Sequence, residues 1–279
     1  ESISDVRLAL KSRRYDLAIF AVLDRDDGVS GLVNDLRRFR CGDDPFLPVI
    51  LSSWDARLEL VRSIIDAGAD DFLAHPFSTT DLSDRINALV ANRKPFIVTE
   101  EYFGPDRRTA EARGNDAGSV MVPNALLARV EGKPELGPNA DFIEASLSQL
   151  RRVKIRNIAR RIWAIADVLY KAYGDPSLPD WIERELLQIL KSGRKFNEII
   201  PPREIMQLGS LCDTVIQTAN RLRVEKVRET DLELLEQSAL ALRVASQLGG
   251  DSTDAAAEIS SALAAIRDKH NDLIKSVIG

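Results

Sequence analysis

Few side chains in this sequence are suited to chemistry by their type and spacing. The two cysteines, Cys41 and Cys212, lie far apart and in no Cys-x-x-Cys pair, which excludes a disulfide scaffold or a cysteine zinc site and suits a reducing cytoplasm. The two histidines, His75 and His270, are too few for a multi-histidine metal site. The sequence also has no phosphate-binding glycine loop, no His-Glu-x-x-His motif and no recognisable nucleophile triad. We therefore expect a protein without a catalytic centre, a metal or a cofactor.

The composition indicates an ordinary water-exposed protein with two domains. The chain has 279 residues, of which 44% are hydrophobic and 29% are charged. Its net charge of −5 argues against a chain that is basic throughout for binding nucleic acid. No apolar run reaches the roughly 18 residues that a membrane-spanning helix needs, and the N-terminus has no signal-peptide pattern. We expect a cytoplasmic protein without a membrane partner, and we do not favour a nucleic acid partner.

Residues 1–94 alternate short apolar runs with amphipathic stretches. The runs at 17–23 and 47–51 are continuously apolar, which is typical of strands buried on both faces, and residues 71–74 form a third, shorter candidate. Between the runs, apolar residues recur at helical spacing. Strands that alternate with helices indicate an α/β domain with a doubly wound parallel sheet, in which helices cover both faces.

The rest of the chain changes character twice. Residues 95–139 hold five prolines and five glycines and keep no period, which predicts a linker that lies partly on the first domain. Residues 140–279 carry apolar stripes at three- and four-residue spacing, which predict an all-α helical bundle. The predicted helices are 140–173, 180–192, 203–228, 231–248 and 253–278.

Three local patterns occur in the order known from one protein family. They are Tyr-Asp-Leu-Ala-Ile-Phe at 15–20, Leu-Pro-Val-Ile-Leu-Ser-Ser at 47–53 and Ala-Gly-Ala-Asp-Asp-Phe-Leu-Ala-His-Pro-Phe at 67–77. These patterns resemble the third strand, the fourth strand and the stretch leading into the Lys-Pro pair of the response-regulator receiver domain. That domain is the phospho-acceptor module of bacterial two-component signalling. The resemblance covers residues 1–94 and implies that the chain begins at the helix after the family's second strand.

The departures from the family bear directly on its chemistry. The resemblance places the phospho-acceptor aspartate at Ala21 and the lysine at His75. It retains the switch hydroxyl as Ser53 and the aromatic switch position as Phe72. Alanine supplies no nucleophile, and a neutral imidazole is a poor substitute for a permanent ammonium, so the phospho-acceptor site is degenerate. If the strand runs three residues longer, Asp24 becomes an alternative acceptor.

The family's first strand, first helix and second strand have no counterpart in residues 1–94. The resemblance places the two acidic Mg²⁺ ligands just after that first strand. Because the first strand is central in the fold, its loss would expose an apolar sheet edge, which native sheets avoid. We expect the missing segment to have been cut off or to be supplied by another chain.

The predicted helix over 150–172 is basic in its first half, with six arginines and lysines between 151 and 161. A basic helix face can contact the phosphates of nucleic acid, but acidic residues flank this one and no helix-turn-helix pattern stands out. Lys154 and Arg161 lie near the apolar stripe. They either pair with carboxylates of another helix or form an open partner surface, and we favour the partner surface.

Two further features lie outside the receiver-like residues. His270 sits in the apolar stripe of the last predicted helix, where a histidine could serve phosphotransfer, although the His-x-x-Lys-Gly pattern is absent. The run Tyr-Phe-Gly-Pro-Asp-Arg-Arg at 102–108 resembles a short motif seen after receiver domains in some bacterial regulators. By itself this run indicates a proline-containing turn with two solvated arginines.

These patterns predict a non-catalytic bacterial signal-transduction regulator, a pseudo-receiver that acts by protein–protein interaction beside a helical output domain. We expect signalling proteins as partners. We also expect a homodimer, because long striped helices often complete their burial across a two-fold axis. Two alternatives stay open: a transcriptional regulator whose helical domain binds DNA, and a phosphotransfer protein that uses His270.

Overall fold

The computed structural model describes residues 2–23, 28–55, 57–108 and 118–248. The chain divides into two compact units, Glu1–Val153 and Lys154–Gly279. Among the described residues, no helix combines the length and the apolar character that crossing a membrane requires.

The first unit contains a parallel sheet flanked by helices. Its strands β1, β2 and β3 are adjacent in that order and all parallel. The alternating elements are α1 (Ile3–Ser12), β1 (Ala18–Val22), α2 (Val29–Arg37), β2 (Val49–Ser53), α3 (Leu58–Ala67), β3 (Asp71–Ala74) and α4 (Thr79–Asn92). The α/β class and the parallel sheet are confirmed, and each strand begins and ends within two residues of its predicted run.

Helices pack on both faces of this sheet. On one face, α1, α2 and α3 surround strand residues such as Val22, Val49 and Leu51. On the other face, α4 contributes Leu89 to a cluster with Ile50 and Leu73. Neighbouring residues of a strand point to opposite faces of the sheet, so the continuous apolar run of β2 contributes side chains to both clusters.

Strand β1 lies at an edge, since among the described strands it pairs only with β2. The predicted burial of β1 on both faces is wrong, because Ile19 is 43% exposed and Ala21 is also exposed. By alternation both side chains belong to the face of α4, whose apolar cluster is centred on β2 and β3. Strand β2 has a neighbour on each side and is buried at all five positions.

A buried ion cluster lies just before β3. The Asp70 carboxylate accepts hydrogen bonds from Arg37 Nη2 at 2.8 Å, from Arg93 Nε at 2.9 Å and from the Val49 amide at 2.9 Å. Arg37 also donates to three main-chain carbonyls, and Arg93 donates to two. The cluster therefore fixes the ends of α2 and α4 against the beginnings of β2 and β3.

Residues 95–139 form part of the first unit, although the sequence predicts a linker there. They contain β4 (Phe96–Val98), β5 (Phe103–Pro105) and α5 (Ala125–Glu131), with β4 and β5 antiparallel. The Phe96 ring is fully buried, and the guanidinium carbons of Arg37 and Arg93 each lie 5.3 Å from its centroid. The predicted linker therefore lies on the first domain through Phe96, and it contains two strands and a helix of its own.

Helix α6 (Ala140–Lys171) crosses the boundary between the two units. Its residues Leu150 and Val153 share an apolar cluster with Phe96 and Val120 of the first unit. The sequence predicts that the helical domain begins at residue 140, whereas the first compact unit of the structure extends to Val153. The reason is that the first part of α6 buries its apolar side chains in the first unit.

The described elements of the second unit are all helical. Beyond α6 they are α7 (Leu178–Ile199), a π-helical turn (Ile205–Gly209), α8 (Ser210–Val224) and α9 (Glu229–Leu248). Their apolar stripes form one core. The predicted α-helical region is thus confirmed over these residues, whereas the predicted helix at 253–278 lies outside the described residues.

Helix α7 continues to Ile199, so the predicted helix end at residue 192 is wrong. A β-carbon at Gly193 would lie 2.8 Å from Ile216 Cγ1 of α8, and the Cys212 thiol donates to the Gly193 carbonyl at 3.4 Å. Burial at this contact raises the pKa of the Cys212 thiol to about 12. Glycine stands here because two helices approach closely, not because a helix ends.

We expect Asp70→Asn to destabilise the first unit by about 3 kcal/mol, because it leaves two buried guanidiniums without a countercharge. Asp71→Asn is the matched control, since Asp71 pairs with the exposed Arg85 at 3.4 Å and such pairs contribute about 1 kcal/mol at most. Amide hydrogen exchange in β2 and β3 at increasing urea concentration measures both stabilities. Equal stability of the two variants would show that the Asp70 carboxylate is dispensable.

Candidate functional site

The candidate site lies where the three parallel strands end. The register aligns Val22, Ser53 and Ala74 as the last residues of β1, β2 and β3. Trp54 and His75, which follow directly, therefore stand side by side at the carboxyl edge of the sheet. In α/β proteins this edge is the usual place for ligands and partners.

Ala21 and Ser53 occupy the positions that the resemblance assigns to the acceptor and the switch hydroxyl. Ala21 is exposed and pairs with Ser52 in the ladder, and its methyl group offers neither a nucleophile nor a metal ligand. Ser53 is buried; its carbonyl accepts from the His75 amide at 2.8 Å, and its Oγ accepts from the Asp55 amide at 3.1 Å. The serine hydroxyl is therefore engaged within its own turn.

The two remaining positions of the degenerate site lie in and after β3. Phe72 is half-buried and packs into the cluster beneath α1, α2 and α3. His75 lies between two aromatic rings: the Trp54 ring stacks on it at 4.8 Å and 18°, and the Phe77 ring is tilted on it at 4.5 Å and 40°. The His75–Pro76 peptide bond is cis. His75 thus shares the carboxyl edge, while Phe72 faces the helices.

The aromatic stack is a feature that the sequence analysis missed. Trp54 is 72% exposed, and Leu23, which follows β1 at the same edge, is 80% exposed. Each is the first residue after a strand that carries a candidate site residue. This position in the sequence could have indicated that both residues lie at the candidate site. Tryptophan is enriched among the residues that dominate binding interfaces. The carboxyl edge of the sheet therefore presents exposed apolar surface.

The other candidate residues belong to the second unit or lie outside the described residues. Asp24 and His270 are outside them. Within the described part of the chain, no group of three or more His, Cys, Asp or Glu side chains could hold a metal ion. Lys154 and Arg161 belong to the second unit; Lys154 is half-buried, and the exposed Arg161 donates from Nη2 to Gln188 Oε1 at 2.9 Å. Arg161 thus meets a neutral amide of α7.

The Gly-Pro-Asp-Arg-Arg motif is docked on the first unit, so the expectation of two solvated arginines is wrong. Asp106 is fully buried, and Arg108 donates to it from Nε at 2.9 Å and from Nη2 at 3.0 Å. Arg107 is half-buried, and its Nη2 donates to the carbonyls of Ala69 and Asp70. Both arginines are therefore partly buried and bonded to protein groups.

Comparison with known proteins names no relative of this chain. No family model matches it, and no curated protein or solved structure is significantly similar. The functional interpretation therefore depends on the geometry described above. At the carboxyl edge of the sheet, Ala21 offers a methyl group and Trp54 offers an exposed aromatic ring.

Arg161→Glu should leave the melting temperature nearly unchanged, because the side chain is exposed and contacts of exposed charged side chains contribute about 1 kcal/mol at most. If this part of α6 is the partner surface, the same change should weaken self-association. Thermal melting by circular dichroism and light scattering measure the two effects. Lys226→Glu, which changes an equally exposed cation after α8, is the control that should alter neither. A large loss of stability with unchanged association would refute the partner surface.

Proposed function

We propose that the protein is a non-catalytic signal-transduction regulator whose first unit is a degenerate receiver domain. In this proposal the first unit binds signalling proteins, and the helical second unit is its output or partner-binding part. The observation that carries the proposal is Ala21 at the end of β1, on the same sheet edge as the exposed Trp54 ring stacked on His75. A methyl group beside an exposed aromatic surface favours protein contact over phosphoryl transfer.

The order of the elements supports the receiver interpretation. Helices and strands alternate from α1 to α4, and the three strands are parallel and adjacent in chain order. This is the order that the resemblance implies for these three strands. Helices α1, α2 and α3 pack on one face of the sheet and α4 packs on the other, as the doubly wound arrangement requires.

A binding role also suits the physical chemistry of the edge. Trp54 and Leu23 expose apolar surface to water there. Covering such surface with a partner is favourable by about 25 cal/mol per Å² of apolar area, before the costs of association are subtracted. The His75 amide donates to the Ser53 carbonyl at 2.8 Å, so these two main-chain groups are already paired.

The proposal extends to compartment and assembly. Cys41 and Cys212 are both buried free thiols, which suits a reducing cytoplasm. We propose a homodimer formed through the second unit, since Val168 of α6 and Leu240 and Val244 of α9 leave a substantial part of their apolar surface exposed.

The protein should form no Mg²⁺-dependent adduct with acetyl phosphate or beryllofluoride, because Ala21 supplies no carboxylate oxygen. Intact-mass spectrometry detects the phosphoryl group and fluorine NMR detects beryllofluoride, with a phosphorylatable receiver domain as the positive control. A Mg²⁺-dependent adduct that Asp24→Asn abolishes would contradict the proposal and identify Asp24 as the acceptor.

A photo-crosslinking phenylalanine analogue at position 54 should capture a signalling protein when the chain is expressed in its native cells, because that side chain is exposed at the proposed binding edge. The same analogue at Val130 of α5, a residue that is 70% exposed, is the matched control and should capture none. Mass spectrometry of the cross-linked species identifies the partner. Equal capture at both positions, or none at position 54, counts against a binding role for the edge.

A further inference from the structure

We propose that residues 103–108, called the clasp below, couple strand β3 to the start of helix α6. The carboxyl edge of the sheet, where the Trp54 ring stacks on His75, is called the aromatic edge below. A displacement at the aromatic edge then reaches α6 through the clasp. The inference rests on the proposed function, because it supplies the route by which binding at that edge is passed on.

The clasp holds the turn that leads into β3. Arg107 Nη2 donates to the Ala69 carbonyl and, at 2.9 Å, to the Asp70 carbonyl. Strand β3 begins at the next residue, Asp71. The side chain of Asp70 is itself held by buried arginines, so this turn is fixed from two sides. A shift of β3 must therefore move the two acceptors of Arg107.

Two glycines bring the clasp and the turn into direct backbone contact. A β-carbon at Gly104 would lie 2.9 Å from the Gly68 Cα, and a β-carbon at Gly68 would lie 2.7 Å from the Phe103 carbonyl oxygen. Gly68 also has a φ of +94°, which side chains disfavour. Because no side chain separates the two backbones, a displacement of the turn toward the clasp is transmitted by direct contact, and the hydrogen bonds of Arg107 oppose separation.

The clasp also contacts the apolar cluster that holds α6. The Phe103 ring meets the rings of Phe46 and Phe96 edge-on, with centroids 6.2 Å and 6.0 Å apart. The same cluster contains Leu150 and Val153 of α6. Phe103 therefore packs, through Phe46 and Phe96, into the same apolar cluster as Leu150 and Val153 of α6.

Hydrogen bonds of its own keep the clasp rigid. The buried Asp106 accepts from the Arg108 side chain, and its amide donates to the Pro95 carbonyl at 2.8 Å. Tyr102 Oη donates to the Pro105 carbonyl at 2.8 Å, and burial raises the pKa of this hydroxyl, so it stays protonated. A rigid segment that is attached at both ends transmits a displacement along a continuous physical network.

The aromatic edge and the clasp are separated by one short strand. Strand β3 has four residues, Asp71–Ala74, which span about 13 Å at 3.3 Å per residue. At one end the Asp70 carbonyl binds Arg107, and at the other His75 lies under the Trp54 ring. A partner that moves the ring acts on the carboxyl end of β3, and the clasp holds the amino end.

Amide hydrogen exchange followed by mass spectrometry tests the coupling in the full chain. Trp54→Ala perturbs the aromatic edge, and exchange is compared in peptides 71–77 and 140–153. We expect Trp54→Ala to speed exchange in both peptides, by about threefold in 140–153. In an Arg107→Ala background, Trp54→Ala should still speed exchange in 71–77 but should no longer change 140–153.

Arg38→Ala provides the matched background, because Arg38 Nη2 donates at 3.0 Å to the Glu101 carbonyl, between β4 and β5. The response of 140–153 to Trp54→Ala should persist there. An equal response in the Arg107→Ala and Arg38→Ala backgrounds would overturn the proposal. A Trp54→Ala variant that leaves 140–153 unchanged in the otherwise native chain would overturn it as well.

If circular dichroism shows that Arg107→Ala unfolds the first unit, Arg107→Lys takes its place, since lysine keeps the charge but loses the planar fork of donors. The assay contains no phosphoryl donor and no partner. Its outcome is therefore independent of the adduct and cross-linking results. The exchange experiment can refute the coupling without refuting the binding role, and the cross-linking experiment can refute the binding role without refuting the coupling.

Discussion

One buried carboxylate holds the first unit together. Asp70 faces the guanidiniums of Arg37 and Arg93 and accepts a hydrogen bond from each. Five main-chain carbonyls accept further hydrogen bonds from the two arginines. Arginine suits this role because its planar fork offers five N–H donors, whereas lysine has three on a single nitrogen. The segments that supply these carbonyls cannot rearrange without leaving buried donors unpaired.

The same cluster explains why the first unit extends beyond its predicted end. Phe96 lies between the two guanidiniums, and Arg93 donates to the Pro123 carbonyl at 2.7 Å, which ties the residues after α4 to the sheet. The sequence could not predict this, because Arg37 and Arg93 lie 33 and 23 positions from Asp70 and charged residues are normally exposed. Apolar periodicity is local, which is why β1, β2 and β3 were predictable within two residues.

Some features of the candidate site also follow from local sequence patterns, and others depend on contacts between residues far apart in the sequence. Strand order alone places Ala21, Ser53 and His75 at one edge, because the carboxyl ends of parallel strands meet there. The stack of Trp54 on His75 depends on side-chain conformations at the ends of two strands, which no periodicity encodes. The contact of Arg161 also depends on how the helices pack. The sequence allowed either pairing with a carboxylate or an open partner surface, and in the structure Arg161 contacts the neutral amide of Gln188.

Under the proposed function, an alanine at the position that the resemblance assigns to the acceptor is physically compatible with an exposed aromatic ring at the same edge. An aspartyl phosphate site needs Mg²⁺ and hydrated carboxylates, whose solvation an apolar surface opposes. With Ala21 in place, the neighbouring rings desolvate no acceptor charge. In the proposed function regulation then comes from binding alone, and a partner shifts the protein only by binding one arrangement of the edge more tightly than another. The contacts at the two ends of β3, to Trp54 through His75 and to Arg107 through the Asp70 carbonyl, are where such arrangements would differ in energy.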